Sequence, residues 1–183
     1  MNLPNILTVS RIILIPVFVV AYYLPIDWNY LLCGLIFTIA GATDMLDGYL
    51  ARKLNQSTPF GAFLDPVADK LMVAIALTVV IEHYQNVWVT VPSMIIIGRE
   101  IVVSALREWM AVRGKRDNVS VGNMGKLKTA CQMWSILLLL LGVHGGEYFV
   151  IGMILIYIAS ALTIWSMYLY LTASWGYLFS EEG

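Results

Sequence analysis

Charge is what this chain has least of. Asp, Glu, Lys and Arg make up 13% of its 183 residues, against 60% hydrophobic ones. A soluble domain carries about twice that charged fraction. With a mean hydropathy of +0.78, the composition excludes an ordinary soluble protein and indicates an integral membrane one. Net charge is -1, so no basic excess draws nucleic acid, and none is expected as a partner. Cysteine is scarce as well. Cys33 and Cys131 each sit inside an apolar run, which argues against a disulfide framework and reads as two small buried hydrophobes. Long polar stretches are missing, so residues 1–183 are expected to form one domain. No small-x-small cleavage site follows the first apolar run, only Ala21-Tyr-Tyr-Leu-Pro25, so that segment is expected to be retained.

What is present is a succession of apolar runs, each near the roughly 20 residues a bilayer core requires. They predict helices near 5–24, 29–53, 59–81, 88–112, 123–143 and 148–174, an all-α, six-transmembrane-helix bundle. Turn and polar residues separate them: Pro25-Ile-Asp27, Asn55-Gln-Ser-Thr-Pro59, Glu82-His-Tyr-Gln-Asn86, Arg113 to Val121, and His144-Gly-Gly-Glu147. The links after the first, third and fifth helices contain no Lys or Arg. Those after the second and fourth carry Arg52, Lys53, Arg113, Lys115 and Arg116, with Lys126 and Lys128 just beyond. Basic links face the cytoplasm, so both termini are expected there. Trp28 and Trp88 then mark outer helix ends, and Trp109 and Trp175 inner ones, where amphipathic rings settle.

Against this background four aspartates stand out: Asp44, Asp47, Asp65 and Asp69. A carboxylate at membrane depth costs several kcal/mol unless something neutralises it, which makes such acids functional candidates. Asp44 and Asp47 are i,i+3; Asp65 and Asp69 are i,i+4. Each pair therefore projects from one helix face, and the short link makes the two helices antiparallel neighbours. All four lie at one level, near the inner leaflet. Hard oxygen ligands select Mg²⁺, Mn²⁺ or Ca²⁺, and four carboxylates suffice for two such ions, an arrangement suited to in-line attack at phosphorus. The bland alternative is an ion-pair cluster of Asp47 with Arg52 and Asp69 with Lys70. It leaves at least two acids without local partners, an expensive burial. Gly34, Gly41 and Gly48 recur every seven residues on the second helix. On spacing alone this stripe reads more often as helix packing than as room for a ligand.

A second anomaly lies on the fourth helix. Arg99 and Arg107 are about 12 Å apart along the axis and about 80° apart around it, so they share a broad side. Neutralisation by Glu100 and Glu108 is one reading. The other is an anion pocket, since the planar guanidinium matches phosphate oxygens. Lys126 and Lys128 stand near it, but roughly 200° apart on a helix, so one of them turns outward and snorkels. Gly125 favours Lys126 as the inward one. Two arginines at this depth suit a phosphorylated ligand. Lys115 and Arg116 read as surface charge. His83 and His144 fall in outer links and receive no role.

The pattern Asp44-x2-Asp47-Gly48-x2-Ala51-Arg52-x8-Gly61-x3-Asp65-x3-Asp69 resembles, without a departure, the signature of the CDP-alcohol phosphatidyltransferases. Pro4-Asn5-x2-Thr8-x2-Arg11, Arg99-Glu100, Ser104-Ala-Leu-Arg107-Glu108 and Gly125-Lys126-x-Lys128-Thr129 extend the resemblance to the bacterial members that use a glycerophosphate acceptor. The resemblance implies six membrane helices, a homodimer in the bacterial inner membrane, and a site facing the cytoplasm. It implies two divalent ions, Mg²⁺ or Mn²⁺, and displacement of CMP from CDP-diacylglycerol. Asp44, Asp47 and Asp65 would ligand metal. Asp69 would be the general base, touching metal as well. Asn5, Thr8, Arg11, Gly48, Ala51, Arg52 and Gly61 would shape the donor pocket. Spacing alone does not say which acid takes the proton. Two alternatives remain at this point: a family member with another acceptor (inositol phosphate, serine or phosphatidylglycerol), and a divalent-cation transporter. Against transport, the acids cluster at one leaflet without matching polar steps beyond.

Overall fold

A computed structural model describes residues 3–54, 59–112 and 123–178. They form six helices and no strand: α1 (Leu3–Tyr23), α2 (Asn29–Leu54), α3 (Pro59–Tyr84), α4 (Val87–Val112), α5 (Asn123–Leu141) and α6 (Glu147–Leu178). Helix is the natural outcome for apolar runs, because it satisfies every interior backbone group locally. Ser and Thr side chains that would otherwise be orphaned bond back to their own helix, as Thr38 does to the Gly34 carbonyl at 2.7 Å and Ser93 to Val89 at 2.7 Å.

The ends have local causes. Asn29 Nδ2 donates to the Tyr22 carbonyl at 2.6 Å and latches α1 to α2. Pro59 opens α3, where its missing N–H costs nothing. Asn86 Oδ1 accepts from the Trp88 amide at 2.9 Å and caps α4. Gly145 and Gly146, at φ +81 and +84, turn the chain into α6. The expected boundaries hold to within a few residues. The largest differences are at the ends of α3 and α6. α3 runs on to Tyr84, whose hydroxyl donates to the Leu139 carbonyl at 2.8 Å. His83 is therefore helical rather than in a link. It packs edge-on against Tyr22 and Tyr84, while His144 lies edge-on to Tyr30.

Three helices contain stretches long and apolar enough to cross a membrane: Ile6–Tyr23, Val87–Met110 and Glu147–Thr172. The other three, α2, α3 and α5, carry the four aspartates, Lys126 and Lys128. Large apolar side chains are exposed around the molecule, among them Ile13, Leu35, Met94, Ile101, Trp134 and Ile154. A surface so apolar belongs in lipid. Inside, Phe18, Phe37, Leu77, Val80, Ile136, Leu139 and Ile156 are fully buried. α1 and α2 form one hairpin and α5 and α6 another; α1 also packs on α3, and α4 on α6. α2 and α3 meet only lightly. The short link nonetheless brings Asp44 of α2 together with Asp65 and Asp69 of α3, as expected, while α1 packs extensively against both helices.

Candidate active site

The inward seam of α1 runs Thr8, Arg11, Ile15, Phe18, Ala21, at steps of three and four, and every member is buried. Arg11 shares the stripe of the core and so is forced inward, at 2% exposure. There it meets the acids. Its Nη1 donates to Asp44 Oδ1 at 2.8 Å and also to Asp69, and its Nη2 donates to Asp65. The three carboxylates keep about two-fifths of their surface, at 42%, 39% and 44% exposure. The guanidinium is buried against them, while part of each carboxylate side chain stays accessible.

One oxygen from each of Asp44, Asp65 and Asp69 lies within 4.8 Å of the others. Ligands on opposite sides of one hard divalent ion are separated by twice the metal–oxygen distance, about 4.0–4.2 Å for Mg²⁺ and about 4.6–5.2 Å for Ca²⁺. Three carboxylates and one guanidinium leave two negative charges. Donor type, span and residual charge all fit a divalent cation. Arg11 is the partner that sequence reasoning overlooked when it left two acids unpaired, because it searched only neighbours along α2 and α3. Its stripe with Ile15 and Phe18 was the available signal.

Among the other expected donor residues, Thr8 is buried one turn before Arg11, and Gly61 is half-buried one turn before Asp65. The side chains of Asn5, Asp47, Ala51 and Arg52, together with Gly48, lie outside the described residues, although their backbone is helical. Trp175 shares that standing, and Arg113, Lys115 and Arg116 fall in an undescribed link. Gly34 and Gly41 face α5: an added Cβ would come within 3.0 Å of Leu141 and 3.1 Å of Met133. Those two glycines serve packing.

The cationic cluster forms between α4, α5 and α6. Glu100 Oε1 accepts from Lys128 Nζ at 2.6 Å and from Arg99 Nη1 at 3.1 Å. Arg99 Nη2 also donates to Ser166 Oγ at 2.8 Å, and Arg107 Nη2 to the Tyr170 hydroxyl at 2.6 Å. Arg99 and Lys128 are buried; Arg107 and Lys126 are exposed. The preference for Lys126 as the inward lysine is thus corrected. Register decides it: Lys128 lies one turn before buried Gln132, in line with buried Ser135 and Ile136, whereas Lys126 is on the opposite side. Arg99, Arg107 and Lys128 with Glu100 carry three positive charges and one negative. Ser166 and Tyr170 were missed from sequence, where they look like polar interruptions of an apolar helix.

Of the two clusters, the cationic one reaches a neighbouring cavity through Glu100. Lys70, next to Asp69, lines a cavity of about 330 Å³ with Glu100, Ser104 and Glu108 along the α3–α4 boundary. Carboxylates spaced for a metal and a cationic cluster suited to an anion are the kinds of group that phosphoryl chemistry uses, here in a helical protein with an apolar exterior.

A family model for the CDP-alcohol phosphatidyltransferases matches residues 1–165. The chain belongs to that family. A Pseudomonas fluorescens protein named CDP-diacylglycerol–glycerol-3-phosphate 3-phosphatidyltransferase is 52% identical over 180 residues, 97% of this chain and 92% of its own. Proteins of the same name from Yersinia enterocolitica and Shigella flexneri are 53% and 52% identical, over 96% and 94% of each chain respectively.

Proposed function

We propose that this protein transfers the phosphatidyl group of CDP-diacylglycerol to sn-glycerol 3-phosphate, giving phosphatidylglycerophosphate and CMP. The observation that carries this reading is the Asp44, Asp65 and Asp69 cluster, spaced for a metal, in a fold that also gathers Arg99, Arg107 and Lys128 between α4, α5 and α6. The acids suit a metal-bound diphosphate; Arg99, Arg107 and Lys128 suit a phosphate dianion. An acceptor such as serine, without phosphate, gives two arginines at this depth nothing to bind. The near full-length relatives carry a name stating both substrates.

In this proposal Asp44, Asp65 and Asp69, with Asp47 one turn along α2, hold two Mg²⁺ or Mn²⁺ ions. When bound, the metals offset charge on the donor diphosphate and on departing CMP. Arg11 fixes the three carboxylates. Thr8, Gly48, Ala51, Arg52 and Gly61, with Asn5 at the start of α1, shape the donor pocket. Arg99, Arg107 and Lys128 clamp the acceptor phosphate and aim its far hydroxyl at the donor. Asp69 takes the proton of that hydroxyl. The oxygen attacks the phosphorus bearing diacylglycerol, and the bond from that phosphorus to the CMP oxygen breaks, the electron pair leaving with CMP. Positioning and electrostatics supply most of the rate at phosphorus.

The six helices all cross the bilayer in this reading, in a homodimer of the bacterial inner membrane, with the site opening to the cytoplasm. The test is CMP release by purified protein from CDP-diacylglycerol, with a panel of acceptors and with or without chelator. Release with sn-glycerol 3-phosphate, absent with serine or inositol phosphate and abolished by EDTA, is the expected result. Equal release with serine, or no release with any acceptor, would sink the assignment.

A further inference from the structure

Ser166 and Tyr170 belong to no motif in this chain, and the family match stops one residue before the first of them. They are nevertheless the groups that hold the two arginines. Ser166 Oγ accepts from Arg99 at 2.8 Å and itself donates to the Thr163 carbonyl at 3.1 Å, which orients the hydroxyl lone pair toward the guanidinium. The Tyr170 hydroxyl accepts from Arg107 at 2.6 Å. The Tyr170 ring stands 5.1 Å from the Arg107 guanidinium carbon and 5.9 Å from that of Arg99. Ser166 and Tyr170 are one helical turn apart and share a face of α6. Tyr170 is 5% exposed, so its ring is held by packing.

We propose that Ser166 and Tyr170 are positioning residues that set the spacing and tilt of Arg99 and Arg107 for a phosphate dianion. This rests on the acceptor reading above. Two guanidiniums repel, and left alone they would separate and sample many rotamers. The electron-rich face of Tyr170 attracts both, and each hydroxyl removes one N–H from the pool that must find a partner. What remains for the ligand is a fixed subset of donors, including Arg99 Nε, which is buried without a hydrogen-bond partner. Ordering the arginines during folding spares that entropy cost at binding. α6, otherwise a plain apolar span, thereby sets how well the acceptor is held.

The experiment measures CMP release at saturating CDP-diacylglycerol while sn-glycerol 3-phosphate is varied, then the reverse. Tyr170→Phe keeps the ring and removes the hydroxyl; Ser166→Ala removes the other acceptor. Each is expected to raise KM for sn-glycerol 3-phosphate about tenfold, the scale of a hydrogen bond to a charged group. KM for CDP-diacylglycerol and kcat should stay within about twofold of their starting values. Ser166→Thr, which restores a hydroxyl, should recover most of the acceptor KM. Arg99→Ala and Arg107→Ala separate the two levels. If neither moves the acceptor KM, the acceptor reading fails and this inference with it. If they move it and Tyr170→Phe and Ser166→Ala do not, only the inference fails. A loss of kcat toward both substrates with a lowered melting temperature would assign the pair to folding alone and overturn the proposal.

Discussion

At the scale of single residues, Arg11 and Asp69 divide the work of one cluster. Asp69→Asn keeps the shape and removes the proposed base. Turnover is expected to fall about 10²–10⁴-fold, the usual worth of a positioned general base, while CDP-diacylglycerol binding stays measurable. Near-normal turnover would remove Asp69 from that role. Arg11→Met has a different signature. Arg11 touches Asp44, Asp65 and Asp69 while itself 2% exposed. Taking away one member of a buried ion cluster costs about 3–5 kcal/mol. In chelator the variant should therefore melt roughly 10 °C lower. Millimolar Mg²⁺ should recover more of that loss in Arg11→Met than it adds to the unaltered protein, because a metal substitutes for the missing cation. An identical metal effect in both would separate Arg11 from the metal site. The acids were legible as a cluster because three-and-four spacing is a local property. Their counter-ion was not, because it comes from α1, 33 residues away from Asp44. Only the period of α1 carried the hint.

At the scale of elements, the α5–α6 hairpin is the tightest joint. A Cβ on Gly142 would meet the Phe149 amide nitrogen at 2.7 Å and the Leu138 carbonyl at 2.9 Å. Both are backbone atoms and cannot swing aside. Gly142→Ala is expected to destabilise by about 1–3 kcal/mol through overpacking, seen as a lower melting temperature in detergent. Gly98 is the counterpart on α4, with nothing within 4 Å of the added atom. Gly98→Ala should be neutral or stabilising by up to about 1 kcal/mol, since alanine is the better helix former. Equal loss at both positions would refute the packing argument. Element existence was readable from run length alone, and Pro59 and the Gly145-Gly146 turn marked two of the ends. The extension of α3 to Tyr84 was not readable, because its cause is a hydroxyl contact to Leu139 on another helix. The lightness of the α2–α3 contact was equally hidden, since chain adjacency says nothing of a third helix packing against both.

For the molecule as a whole, orientation follows from where its few charges fall. The acids on α2 and α3 and the cationic cluster on α4 and α5 lie toward one end of the helices. The opposite end carries exposed Trp28 and Trp88, with Tyr22, Tyr23 and His83 in edge-on contact and His144 against Tyr30. Lys and Arg resist translocation, while Trp and Tyr are content at either interface, so the charged end is the one expected to stay inside. Six crossings then put residues 27 and 115 on opposite sides. With Cys33 and Cys131 replaced by Ala, a single cysteine at Asp27→Cys should react with a membrane-impermeant maleimide in intact cells. Lys115→Cys should react only after the membrane is opened, or in inverted vesicles. Leaving both α2 and α3 out of the bilayer would not change this parity, so the two labels report orientation rather than the number of crossings. Labelling of Lys115→Cys in intact cells would therefore overturn the cytoplasmic site. It would also remove the reason for Arg99 and Arg107, because an acceptor that carries a phosphate dianion and is supplied from the cytosol would have no path to them.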